Sequence, residues 1–133
     1  MAPENSQTAE LLEISILDTL ATLGERRGKD LLGQLFSLFL EQGPKGFGEL
    51  RKALDEGNAG EVKSVAHSLK GSYRSLGTPR LAELSRRLEE LGTSGRLAGG
   101  QEVLSELETC FDQTSEALKH FLDAKKAGSG GVD

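Results

Sequence analysis

Apolar residues recur at spacings of three and four along almost the whole of this chain, and no stretch keeps an alternation of two. That periodicity calls for amphipathic helices and excludes a half-buried sheet. Glycines, a Gly-Pro pair and capping residues cut the pattern into consecutive segments. A first helix is predicted over Ile14 to Leu23, closing near Gly24. A second, over Lys29 to Glu41, carries Leu31, Leu32, Leu35, Phe36, Phe39 and Leu40, and Gly43-Pro44 is expected to stop it and start a third. That third helix bears Phe47, Leu50 and Leu54 and ends at Gly57. Asn58, with Glu61 three residues on, reads as the capping pair of a fourth helix, whose apolar set is Val62, Val65, Ala66, Leu69, Tyr73 and Leu76. Gly77 closes it. Thr78 as cap and Pro79 at the first helical position open a fifth, with Leu81, Leu84, Leu88 and Leu91 on one face. Gly92 to Gly100 is predicted as a loop before a long last helix striped by Val103, Leu104, Leu107, Cys110, Phe111, Thr114, Leu118 and Phe121.

Short connections between such helices favour antiparallel neighbours. The expected fold class is therefore all-α, an antiparallel up-and-down four-helix bundle with one or two additional N-terminal helices. The 133 residues suffice for one core. The bundle is assigned to residues 9–124, between a disordered tail at 1–8 and a flexible Gly/Ser-rich tail at 125–133.

Composition narrows the function. Hydrophobics at 36% and charges at 28% are those of a globular protein, and a net charge of −5 argues against a general nucleic-acid binder. The lone Cys110 has no partner in the chain for a disulfide or a cysteine-rich metal site, as expected in a reducing compartment. The N-terminus lacks the basic start and apolar run of a signal peptide, and no segment approaches the ~20 apolar residues of a membrane span. A cytoplasmic protein, away from membranes and monomeric, is expected, and the initial Met and polar ends lean toward a free-standing chain over a piece of a larger kinase.

His67 stands apart from this plain pattern. Advancing about 100° per residue, it falls roughly 150° from the centre of the apolar arc of its helix, facing water. Lys63, Lys70 and Arg74 form a basic flank beside it, and Ser64, Ser68, Gly71 and Ser75 a small one. Gly71 costs the helix about 1 kcal/mol relative to Ala, a weakness that makes sense where another molecule must come close. Neutral imidazole is a good nucleophile, nearby cations disfavour its protonated form, and a phosphoryl group once attached would be met by Lys70 and its neighbours. The residues themselves thus point to a phosphoryl acceptor and donor, while an ordinary surface histidine among lysines remains the plainer alternative.

The segment "AHSLKGSYRSLG" followed by "LAELSRRLEELG" resembles the histidine-containing phosphotransfer (HPt) domains of two-component phosphorelays, with their His-x-Leu-Lys-Gly, Leu-Gly and leucine-spaced helix. The likeness extends over roughly residues 12 to 122. It implies that His67 is the phosphorylated residue, that Lys70 assists electrostatically, that Gly71 leaves room for a partner, and that Leu69 and Leu76 pack. It implies as partners a response-regulator receiver domain, whose aspartate exchanges the phosphoryl group and which holds the Mg²⁺, and a sensor histidine kinase upstream. The domain would need no cofactor or metal of its own. A silent bundle that keeps the fold without using the histidine, or the phosphoacceptor domain of a chemotaxis-type kinase, are the alternatives. Tyr73 and Arg74 are bulkier than the residues that often follow the family's glycine; the helical wheel puts Tyr73 in the core and Arg74 on the surface.

Other constellations carry less. "GERRGKD" at 24–30 fails as a phosphate-binding loop, because its glycines are one residue too close, Asp30 replaces Ser or Thr, and no strand precedes it. His120 is read as a surface histidine and Cys110 as a small core residue. Arg80, Glu83, Arg86, Arg87, Glu89 and Glu90 are read as a solvated face.

Overall fold

The computed structural model describes residues 11–131, with side chains described for 11–127. Five helices follow one another: α1 (Ile14–Arg26), α2 (Leu31–Asp55), α3 (Ala59–Ser75), α4 (Pro79–Ser94) and α5 (Gly100–Gly131). Helix α2 packs against α3 and α5, α4 also packs against α3 and α5, and the ring so closed is an antiparallel four-helix bundle. Helix α1 lies on α2 as the additional N-terminal helix. The expected fold class is the one found.

Local chemistry starts the helices. Asp30 accepts a hydrogen bond from the Gly33 amide at 3.0 Å at the head of α2, and Asn58 accepts one from Glu61 at 3.1 Å at the head of α3. Thr78 stands at the α4 cap position as expected, but its hydroxyl does not cap. It is fully buried and donates back to the Tyr73 carbonyl at 2.8 Å, tying the α3–α4 turn to itself.

Three expected boundaries are corrected. Gly43-Pro44 does not separate two helices: α2 runs through Pro44 without a break. Gly43 is buried against Phe111, and tertiary contact there outweighs the missing amide of the proline. Gly92 belongs to α4, not to a loop, because it is the contact point with α3: a Cβ on it would lie 2.5 Å from the Lys63 nitrogen and 2.8 Å from the Ala59 carbonyl. The connection is only residues 95–99, with Gly95 at φ 75° ending the helix. Finally, α5 continues to Gly131, so the described part of the 125–133 tail is helical; Lys125 pairs with Asp18 of α1 at 2.9 Å, a tertiary partner that the local sequence does not reveal. The 1–8 tail lies outside the described residues.

The core is aliphatic in its middle, with Leu50, Leu81, Leu88, Leu104 and Leu107 at 1% exposure or less. Under α2 it is aromatic. Phe39 stacks on Phe111 at 4.6 Å between centroids, and Phe47 and Tyr73 meet that pair edge-on. Cys110 is buried within this core, as its place in the apolar stripe predicts.

The Leu-Gly that closes α3 has a structural cause. Gly77 adopts φ 77°, and its carbonyl accepts a 2.7 Å hydrogen bond from the Glu13 amide, so the segment before α1 docks on the α3–α4 turn. A Cβ at Gly77 would sit 3.1 Å from the Glu13 carbonyl and 3.2 Å from Ile16, in a backbone conformation that disfavours any side chain. Gly77→Ala is therefore expected to lower stability by about 1–2 kcal/mol, read as a lowered midpoint in chemical denaturation; an unchanged midpoint would show that the turn relaxes without cost.

Candidate functional site

Helices α3 and α4 form the tightest pair in the bundle, because small residues line their seam. Ala66, Ala82 and Gly92 are buried there, and Gly92 lets the two backbones nearly touch. An antiparallel hairpin pairs residues equally distant from its turn. His67 and Glu89 stand equally far in sequence from Thr78, so the close seam sets them face to face.

The contact is direct. One Glu89 carboxylate oxygen lies 2.7 Å from His67 Nδ1, and the other 2.5 Å from Lys70 Nζ. The imidazole is 66% exposed, whereas the Lys70 and Glu89 side chains are only 17% and 16% exposed. A half-sunken ion pair thus holds one ring nitrogen of an exposed imidazole. With Nδ1 donating to the carboxylate, Nε2 is the nitrogen with its lone pair available, and it makes no hydrogen bond among the described residues.

Glu89 was classed from sequence with the solvated face of α4, and that reading is corrected. Its signal was present in the hairpin arithmetic and not in the helical wheel, which has no information about the facing helix. The basic flank is corrected with it. Lys70 is engaged by Glu89, and Arg74 faces a Glu83 carboxyl held below its ordinary range first by Arg86, then by Arg87 and Arg74. Lys63 is exposed on the first turn beside the seam, where its backbone nitrogen meets Gly92. Cations alone do not surround His67; a carboxylate touches it.

On the other side of His67 the small flank borders space. Nothing lies within 4 Å of where a Gly71 Cβ would be. Ser72 and Ser75 join Leu69, Tyr73 and Leu76 as one wall of an apolar groove of about 540 Å³, whose other wall is Leu35, Leu38 and Gln42 of α2 with Leu20 of α1. Leu38 is 48% exposed, a large apolar side chain of the groove left in water. Ser64 and Ser68 line a shallower, more polar depression between α3 and α2 near Lys45 and Glu49. Tyr73 forms the groove floor; its phenol is buried without a hydrogen-bond partner among the described residues, and burial pushes its pKa up.

The remaining sequence candidates do not join the site. His120 is exposed on α5, 3.9 Å from Glu116. Residues 24–30 are the end of α1 and a turn, with no strand before them among the described residues. Among the described residues no three His, Cys, Asp or Glu side chains are grouped to hold a metal ion, and no helix is long and apolar enough to cross a membrane.

An exposed imidazole with its Nδ1 pinned, a lysine one turn on and a glycine opening the flank together form the His-x-Leu-Lys-Gly motif in three dimensions. The family model described as "Hpt domain" matches residues 34–117. The chain belongs to the Hpt domain family. It is 25% identical over 112 residues to multistep phosphorelay regulator 1 of Schizosaccharomyces pombe, covering 84% of this chain and 38% of that one. It is 29% identical over 85 residues to the phosphorelay intermediate protein YPD1 of Saccharomyces cerevisiae, covering 63% and 50%. The chain thus spans half or less of the length of these curated relatives. Among solved structures, HptB of Pseudomonas aeruginosa matches with a TM-score of 0.75 at 25% identity over 82% of this chain and 91% of its own. The phosphotransfer domain of ArcB from Escherichia coli matches at 0.73 and 19% identity, over 86% and 95%, a likeness of fold.

Lys70 above all, and then His67, hold the Glu89 carboxyl below its ordinary range. The stabilisation so gained is complete above the ordinary carboxylate range and is lost as pH falls through the lowered value. In a carboxyl-carbon NMR titration Glu89 is expected to titrate below the ordinary carboxylate range, and in Lys70→Ala to move up toward it. A Glu89 midpoint unmoved by that substitution would show that Lys70 is not its principal partner.

Proposed function

We propose that this Hpt domain is a phosphorelay intermediate in which His67 Nε2 takes a phosphoryl group from the phosphoaspartate of a response-regulator receiver domain and returns it to the aspartate of another. The observation that carries this reading is the pinned, exposed imidazole: Glu89 occupies Nδ1, and the same carboxylate holds Lys70. In the accepting step the Nε2 lone pair attacks phosphorus, the bond from phosphorus to the aspartyl oxygen breaks, and the carboxylate leaves with the electron pair. The Nδ1 proton stays on the ring, where the Glu89 carboxylate offsets the developing positive charge. Transfer onward is the reverse of these steps. Lys70 is placed one turn from His67, within reach of the phosphoryl oxygens by exchanging Glu89 for them.

The Gly71 opening and the apolar groove are the surface on which a receiver is expected to dock, with Ser64, Ser68 and Ser75 at its edge and Lys63 and Arg74 on the charged side. The Mg²⁺ of the transfer belongs to the receiver in this reading, the chain supplies no cofactor, and a sensor histidine kinase stands upstream. The domain is taken to act as a monomer in the cytoplasm, in keeping with its net charge of −5 and its lack of a membrane-crossing helix among the described residues.

Incubation with phosphorylated receivers is expected to place acid-labile, alkali-stable label on the wild type and none on His67→Gln; label that persists in the variant removes His67 from the reaction. Lys70→Ala is expected to slow transfer by about tenfold or more. Its stability cost is held near 1 kcal/mol, since Glu89 keeps His67 as a partner. Transfer at the wild-type rate in Lys70→Ala would exclude the lysine from the step, and an unlabelled wild type against every receiver would favour the silent bundle.

A further inference from the structure

Gly92 is small because α3 demands it. Its backbone is ordinary helix and it is not among the glycines of positive φ, so conformation does not call for glycine. A glycine there weakens the end of α4 relative to alanine. Space is what calls for it. A Cβ at 92 would lie 2.5 Å from the Lys63 nitrogen, 2.8 Å from the Lys63 Cα and 2.8 Å from the Ala59 carbonyl oxygen. All of these are backbone atoms of α3, and no rotamer moves them aside.

This contact stands one turn from the site on both helices, with Lys63 before His67 and Gly92 after Glu89. At the other end of the hairpin the seam is closed by the α3–α4 turn, where the buried Thr78 hydroxyl donates to the Tyr73 carbonyl at 2.8 Å. An alanine at 92 therefore acts as a wedge at the open end, and ordinary contact requires the helices to part there by roughly 0.5–1 Å. Glu89 lies close to the wedge and far from the turn, so most of that displacement reaches it. The 2.7 Å contact from its carboxylate to His67 Nδ1 would then lie at or beyond the limit of a hydrogen bond, about 3.2 Å. The 2.5 Å contact to Lys70 is spared, because a lysine has a long flexible stem and follows the carboxylate, whereas the imidazole is short and cannot.

We propose that Gly92 is a positioning residue of the phosphotransfer site: it holds the Glu89 carboxylate within reach of His67 Nδ1, and so keeps the proton on that nitrogen and the lone pair on Nε2. It acts through Glu89 and not on the phosphoryl group. Its consequence for transfer rests on the phosphotransfer reading, while its consequence for the ring rests on the α3–α4 geometry alone.

Nitrogen NMR of the imidazole in the full chain, at a pH where the ring is neutral, reads the tautomer directly. In the wild type Nδ1 is expected to carry the proton; in Gly92→Ala the ring is expected to populate both tautomers, while Lys70 still holds the Glu89 carboxyl below its ordinary range. With phosphoramidate, a small donor that needs no docking, labelling of His67 is expected to slow severalfold in step with the lost tautomer. Leu17→Ala, a core truncation in α1 that lowers stability away from the seam, is expected to keep the wild-type tautomer and rate. Ala82→Val adds bulk to the same seam two turns from Glu89, and carries the test where Gly92→Ala does not fold. A single Nδ1-protonated tautomer in the folded seam variant, a mixture already present in the wild type, or the same shift in Leu17→Ala overturns the proposal. A tautomer shift with unchanged labelling overturns the part of Gly92 in transfer. Failure of phosphoramidate and of every receiver to label the wild type overturns the phosphotransfer reading instead, with the tautomer result still deciding on Gly92.

Discussion

The close seam between α3 and α4 is the constraint on which the site depends. Glu89 reaches His67 and Lys70 together only because Ala66, Ala82 and Gly92 let the two helices pack nearly backbone to backbone. A larger residue at 92 would collide with the first turn of α3 and push α4 outward along its length. The same seam is locked at its far end by Thr78, whose buried hydroxyl satisfies the Tyr73 carbonyl, and by Gly77, whose conformation turns the chain and receives the segment before α1. The motif's Leu-Gly thus serves geometry: it fixes the register that brings a carboxylate to the imidazole.

That carboxylate resolves a tension in the site. An imidazole fully in water populates either neutral tautomer, and only one of them presents the Nε2 lone pair outward. A partner on Nδ1 selects it. A lone, largely buried carboxylate would be costly to desolvate, and Lys70 offsets that cost. One ion pair at about one-sixth exposure therefore fixes the orientation of the exposed imidazole.

How much of this was legible in the sequence follows from what each signal contains. Helical phase placed His67 in water and Tyr73 in the core, and both stand there, because burial within one helix is fixed by that helix's own apolar arc. Phase could not find Glu89, whose role lies in the facing helix, nor the engagement of Lys70 that goes with it. Gly43-Pro44 and Gly92 were misread for one reason: glycine weakens a helix locally, and the compensation comes from Phe111 and from the α3 backbone, which are distant in the chain. The α5 extension past residue 124 was missed likewise, since its Gly/Ser composition argues locally against helix and Lys125 finds Asp18 only in the fold.

The distribution of rigidity across the molecule is itself coherent. The elements bearing His67, Lys70 and Glu89 are those with buried small residues, a buried hydroxyl and a largely buried ion pair, all interactions that tolerate little displacement. The α2 wall of the groove is built on a helix with a proline in its interior, and it exposes Leu38 to water. The distances from Glu89 to His67 and to Lys70 are set apart from that wall, by the α3–α4 seam.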